Sequence, residues 1–330
     1  MEILSTRSLA TLLRRQAGVL TREQARGAGL TGEAIDRRLA ARHWVPLHPR
    51  VYRDSGHRLT DEVRIRAAVL WAGEGAVLSG LAAAWWHGLA PAPAGEVVVI
   101  VPRRRGPRSR AGVTVRRRDL DPVDRGVLRA VPVTAAPLTV LEAAVELGAA
   151  GPGFLDRALR TRVGFAEVAA ALARNRGAAG AASAAILLDG AAVRSEAVTL
   201  DLLVRAVRDA RVIGWRVHHP ALGMVLPLAF PRSRVAVQVE GWARPVDPAR
   251  IRRELWQEHV LRRAGWTIAR VGRHELVADR AGTIRALVGT VAAAGRHGVA
   301  AARSGDAAGR AGDAARAATA PRARPAGAAG

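Results

Sequence analysis

The chain contains no cysteine, which removes disulfides, thiolate metal sites and cysteine nucleophiles together. It contains no lysine either, so all 51 basic residues are arginine, set against 28 acids for a net charge of +23. An Arg-, Ala- and Gly-heavy composition is what a GC-rich coding sequence produces, so the missing lysine by itself says little about function. The size of the excess says more, because such a field draws polyanions and favours contact with nucleic acid. Long apolar runs are also missing. The longest, AAVLWAGEGAVLSGLAAAWWHGL from Ala67, is broken by Glu74, by glycines and by His87, which argues for buried helices and against a membrane span. The N-terminus has an acid at position 2 and a charged interruption at Arg14 and Arg15, unlike a signal peptide. A cytoplasmic protein with no membrane partner is expected.

At 330 residues there is room for two or three cores of ~100 to 200 residues each. Residues 1–56 read as three short helices and a basic hairpin. In TREQARGAG, Thr21 and Gln24 stand at capping-box spacing, and in TGEAIDRRLAARHW, Thr31 is an N-cap while Ile35 and Leu39 share a face. WVPLHPRVYR pairs as two strands turning at His48 and Pro49. This is the pattern of a winged helix, whose third helix enters a major groove with basic side chains outward. Arg37, Arg38 and Arg42 on that helix, with Arg50 and Arg53 on the hairpin, are the candidate DNA-binding residues. The plainer reading is that an arginine-rich chain places arginine on every exposed face.

Residues 57–151 mix helices with the strands EVVVIVP and GVTVRRR and read as an α+β domain. Residues 152–193 are Ala- and Arg-rich helices, expected to form a connector that packs against one neighbour. Residues 194–293 hold VLPLAFPRSRVAVQVEGW, two strands across a Pro-Arg turn, and AGWTIARVG, a third strand after a helix. From 294 to 330 the composition collapses to Ala, Gly, Arg and Pro, and a disordered tail is expected. His218 and His219 are adjacent, so on a strand they point to opposite faces and cannot chelate one ion. Trp85 and Trp86 sit among apolar residues and read as packing.

The order of these segments resembles that of a known family. VLTREQARGAGLTGEAIDRRLAARHWVPLHPRVY resembles the N-terminal winged helix of AbiEi-type antitoxins from type IV toxin-antitoxin systems, and AVLSGLAAAWWHGL with VPVTAAPLTVLEAA resembles the segment following it. Residues 195 to about 293 resemble an uncharacterised domain related to very-short-patch-repair (Vsr) endonucleases that accompanies this winged helix in actinobacterial proteins. The resemblance implies a multidomain α+β chain: a winged helix-turn-helix, an α+β middle, and a C-terminal restriction-endonuclease-like α/β/α domain. It also implies double-stranded DNA as a partner, and a cognate toxin as a second.

In that nuclease class carboxylates from a helix and two strands gather Mg²⁺ for phosphodiester hydrolysis. Here the positions have drifted. Where relatives carry Ser-x-x-Glu the chain has Ser195 and Val198, with Glu196 displaced to another face. Where they carry a strand aspartate it has Pro227, which also removes a ladder donor. The Glu-Val-Asp-Gly strand end reads Gln238, Val239, Glu240, Gly241, so Glu240 alone keeps its carboxylate. A nearby arginine position is Gln257, beside Glu254 and Glu258. The expectation is therefore a degenerate nuclease-like domain with no metal site and no cofactor, serving a DNA-binding regulator. One alternative is a Mg²⁺-dependent endonuclease using Glu196, Glu240 and Glu258 in rearranged positions. Another is a protein-interaction module.

Overall fold

The computed structural model describes residues 2–93, 95–104 and 107–296, with side chains from residue 9 onward. It is mixed α/β, about 53% helix and 21% strand, so helices supply most of the surfaces that the sheets must bury. The chain divides into two units, residues 1–193 with 242–247, and residues 194–241 with 248 onward.

The first unit opens with α1 (Glu2–Arg15), β1 (Val19–Thr21), α2 (Arg22–Gly27), α3 (Gly32–Ala40), β2 (Trp44–His48) and β3 (Val51–Asp54). The three strands form one antiparallel sheet in the order β1-β3-β2. Leu20, Ala25, Ile35, Trp44 and Tyr52 make its core, with Leu9, Leu12, Leu13, Leu30 and Leu39 packed around it. Helix α4 (Asp61–Ala72) closes a second small core, where Val63 and Ala67 meet Val19 and Val51. Position 56 is thus no structural break, because α4 shares a core with the strands before it.

Next come β4 (Val77–Ser79), α5 (Gly80–Trp86), β5 (Val97–Val101), β6 (Val113–Arg117), β7 (Arg125–Leu128), β8 (Val131–Thr134) and α6 (Ala136–Glu146). The sheet order is β6-β5-β4-β8-β7. All five residues of β5 are buried, as expected of a strand covered on both faces. Helices α7 (Gly151–Thr161), α8 (Phe165–Arg174) and the start of α9 (Ala181–Asp209) bury Phe154, Leu155, Val168, Leu172 and Leu188 in one core with Leu138 and Leu141 of α6. Residues 152–193 therefore contribute to this unit's largest core. The 242–247 segment, placed by the sequence reading in the C-terminal domain, also belongs here: Ala243 is buried in that core, and Asp189 Oδ1 accepts from the amides of Val246 (2.7 Å) and Asp247 (3.1 Å).

The second unit is built on β9 (Arg216–Ala221), β10 (Met224–Phe230), β11 (Val235–Glu240) and β12 (Thr267–Gly272), in the sheet order β12-β11-β10-β9. Strands β11 and β12 are parallel and joined through α10 (Pro248–Arg263), while the other pairs are antiparallel. On one face Leu228, Phe230, Val235, Val237 and Val271 pack with Leu203 and Val207 of α9, Leu276 of α11 (Arg273–Ala278), and Ile284 and Leu287 of a helix over 280–296. On the other face, Leu226, Ala229 and Ala236 meet Leu261 of α10. From Leu228 to Phe230 of β10 and along β11, successive side chains alternate between these two cores. Residues 294–296 belong to a helix where the sequence reading starts a tail, and 297–330 lie outside the described residues.

Candidate nucleic-acid interface

Local chemistry fixes the ends of α2 and α3. Thr21 Oγ1 accepts from the Gln24 amide (3.0 Å), and the Gln24 side chain accepts from the Thr21 amide (2.9 Å). Both directions of the capping box are made. Thr31 Oγ1 accepts from the Ala34 amide (3.2 Å), and Ile35 is fully buried beneath α3. The two helices are then tied by a contact that no local spacing announces: Arg22 Nη1 and Nη2 donate to the two Asp36 oxygens at 2.7 and 3.1 Å. This pairing holds the Asp36 carboxyl below its usual range and raises the Arg22 guanidinium. The Arg22 amide also donates to the Arg50 carbonyl (2.7 Å), so the start of α2 meets the hairpin tip.

The five sequence-predicted arginines divide by what they touch. Arg37 on α3, Arg42 in the turn after it and Arg50 at the hairpin tip are exposed and make no ion pair or side-chain hydrogen bond among the described residues. Arg42 and Arg50 adopt left-handed backbone, φ +55° and +63°, which a tight turn requires of them. Arg38 is turned inward, donating to the Ala34 carbonyl (3.1 Å) with its guanidinium 5.7 Å from the Trp44 ring centroid. Arg53 donates to the His57 carbonyl, a contact within the turn after β3. Three of the five are thus available to a ligand and two brace the module. Arg26 on α2 is exposed as well.

In the second unit the acids singled out from the sequence fall into two clusters. Glu196 is half-buried and both its oxygens accept from Arg250 Nη2 (2.8 and 3.0 Å), while Arg250 Nε donates to Glu254 (3.0 Å). Burial pushes the Glu196 carboxyl up despite that partner. The second cluster centres on Arg270, which faces Gln238 across the parallel β11–β12 ladder. Its Nη2 donates to Glu258 (2.8 Å), its Nε to Gln238 Oε1 (3.4 Å), and it lies 3.9 Å from Glu240. Arg262 adds two bonds to Glu258 (2.8 and 3.1 Å). These guanidiniums hold the Glu258 carboxyl below its usual range.

Val198 is exposed and supplies no oxygen. Pro227 lies on inner strand β10, where the β10–β11 ladder starts only at Leu228↔Val237. A proline has no amide to donate, and Gln238 to Glu240 pair with β12 alone. Ser195 is fully buried on α9, and a Cβ added to Gly241 would fall 1.5 Å from its Oγ. This stretch of α9 and the end of β11 thus approach closely. The donor set does not fit Mg²⁺, which needs several unneutralised oxygens in near-octahedral array: Glu240 and Glu258 share one arginine, and two further positions carry hydrocarbon. Among the described residues no three His, Asp or Glu side chains are grouped to hold a metal ion.

A third polar cluster lies in the first unit. Ser79 donates to Glu142, which also pairs with Arg118; Glu146 accepts from Arg116 (3.0 Å) and the Leu81 amide (2.7 Å). Burial raises the Glu146 carboxyl. Each carboxylate has its partners, so the cluster reads as a structural brace.

No family model matches the chain, and no curated protein matches it. Among solved structures, the RV2827C protein from Mycobacterium tuberculosis is similar at 18% identity and a TM-score of 0.38, over 57% of this chain and 77% of that one. That likeness is too distant to transfer fold or function.

Proposed function

We propose that the chain is a DNA-binding regulator of the AbiEi-like antitoxin type, in which the α1–β3 module is a winged helix that reads duplex DNA through Arg37, Arg42 and Arg50. The second unit, on this reading, is a restriction-endonuclease-like domain that has lost its metal chemistry and serves as a binding surface. A cognate toxin is its proposed protein partner, and double-stranded DNA its nucleic-acid partner. The observation that carries the reading is the exposure of three uncompensated guanidiniums on α3, the turn after it and the hairpin tip. Uncompensated charge is what phosphate contacts require, because a guanidinium already paired with a carboxylate releases few counterions when DNA arrives. The order helix, helix, helix, hairpin supports the same geometry, with α3 presented to the major groove and the hairpin to the adjacent backbone.

The test is fluorescence anisotropy with duplex containing the chain's own upstream region, titrated across salt. Arg37→Ala, Arg42→Ala and Arg50→Ala should each weaken binding and flatten the salt dependence by about one unit of slope. Arg53→Ala should chiefly lower stability. Binding that ignores all three exposed arginines would refute the proposed duplex surface.

A further inference from the structure

Helix α10 presents a face that the duplex reading does not use. Its sixteen residues bury one side chain, Leu261. With ~3.6 residues per turn, Arg252, Trp256, His259 and Arg263 fall on one line opposite Leu261, flanked by Ile251, Leu255 and Arg262. All are exposed, with Leu255 at 61% and Trp256 at 59%. The acids of the helix lie on its inner half and are neutralised: Glu254 by Arg250, and Glu258 by Arg262 and Arg270. Arg252, Arg253 and Arg263 make no ion pair among the described residues. The outer half of α10 is therefore a basic surface, free of carboxylates, with an indole at its centre.

We infer that this face of α10 binds single-stranded nucleic acid, with a base stacked on Trp256 and flanking phosphates held by Arg252 and Arg263. Two physical arguments select that occupant. An exposed indole between uncompensated guanidiniums matches a ligand whose flat apolar groups alternate with negative charges. In a duplex the base faces are already stacked on one another, so an indole on a convex helix reaches them only in a single strand or an unpaired end. From Arg252 to Arg263 the helix rises about 16 Å, enough to follow a short run of nucleotides. Leu255 and Ile251 add apolar contact for a sugar or a second base. The inference is independent of the proposed duplex surface on the N-terminal module.

The experiment uses the full chain and labelled oligothymidylate, with oligouridylate and a blunt duplex as parallel ligands. Trp256→Ala should weaken oligothymidylate binding about tenfold, the effect of losing one stacked base, with duplex binding unchanged. Trp256→Phe keeps an aromatic face and should restore most of the affinity. Arg252→Ala with Arg263→Ala should flatten the salt dependence for the single strand. Relative affinity for the two oligonucleotides identifies DNA or RNA as the source of the strand. Three results would overturn the inference: unchanged single-strand binding in Trp256→Ala, an equal loss for duplex and single strand, or self-association that disappears in Trp256→Ala while oligonucleotide binding does not. The last would assign the face to a second copy of the chain. Circular dichroism of each variant checks that the fold is retained, and variants at Arg37, Arg42 and Arg50 report on the duplex reading separately.

Discussion

At the scale of single residues, Gly241 is decided by what a methyl group would strike. A Cβ there would lie 1.5 Å from Ser195 Oγ and 2.7 Å from the Ser195 backbone carbon, and neither can retreat from a fully buried position. Gly241→Ala should lower stability by about 1–3 kcal/mol, the usual cost of overpacking, measured by urea denaturation. Glu196 and Glu258 make a contrasting pair. Burial raises the Glu196 carboxyl, so as pH climbs through the ordinary carboxylate range the unfolded chain loses its proton first and the native state is relatively penalised. Glu196→Gln should gain stability relative to the native protein as pH rises through that window and converge with it in acid. Arginines lower the Glu258 carboxyl, so its stabilising contribution is present above the ordinary range and is lost as pH falls to the folded value. Glu258→Gln should be the less stable protein at neutral pH, with the gap closing in acid. Denaturation midpoints of both variants from acid to neutral pH check the two signs.

At the scale of elements, local and non-local fastenings can be separated. The Thr21 cap of α2 is made within four residues, and Thr21→Ala should cost about 1 kcal/mol. Asp124 works across the chain. It is buried to 1% exposure at the 3-10 turn Pro122–Asp124 and accepts from Arg174 Nη2 (2.6 Å) and Asn175 Nδ2 (2.7 Å) at the end of α8. Asp124 is buried while Arg174 stays exposed to solvent, so Asp124→Ala should cost about 1.5–3 kcal/mol, the loss of hydrogen bonds to a charged group. Calorimetric unfolding of the two variants compares these magnitudes directly. Spacing alone made the capping box legible, whereas Asp124 and Arg174 are too far apart in the chain for any local pattern to link them. The same reason hid the Arg22–Asp36 pair that fixes α2 against α3.

At the scale of the whole molecule, the net charge of +23 gives every polyanion some affinity, so a bound duplex is informative only through its salt dependence and its variants. The proposed loss of metal chemistry is tested on plasmid DNA. Incubation with Mg²⁺ or Mn²⁺ should leave supercoiled plasmid intact, because Arg270 occupies the space between Glu240 and Glu258 where an ion would need their charge. Nicking that Glu240→Ala abolishes would restore the nuclease alternative. Arg270→Ala offers a sharper control, since it removes the guanidinium that Glu240 and Glu258 share, leaves Arg262 on Glu258, and does not supply the oxygens that Val198 and Pro227 lack.

The sequence by itself determined the elements whose causes are local: the capped starts of α2 and α3, the hairpin at His48 to Arg50, the alternating strands β10 and β11, and the identities at Val198, Pro227, Gln238 and Glu240. These follow from periodicity, turn chemistry and capping, all of which act within a few residues. Tertiary structure decided what those residues meet. It turned Arg38 and Arg53 inward, left Arg37, Arg42 and Arg50 exposed, and gathered Glu240, Glu258 and Gln238 around Arg270. It drew 152–193 and 242–247 into the core of the first unit, and it left Trp256 on an outer face of α10 where composition gave no sign of it. The physical reason is that ion pairing and burial depend on which distant segments meet, and in a chain where arginine is everywhere, only those meetings determine which guanidiniums keep their charge for a ligand.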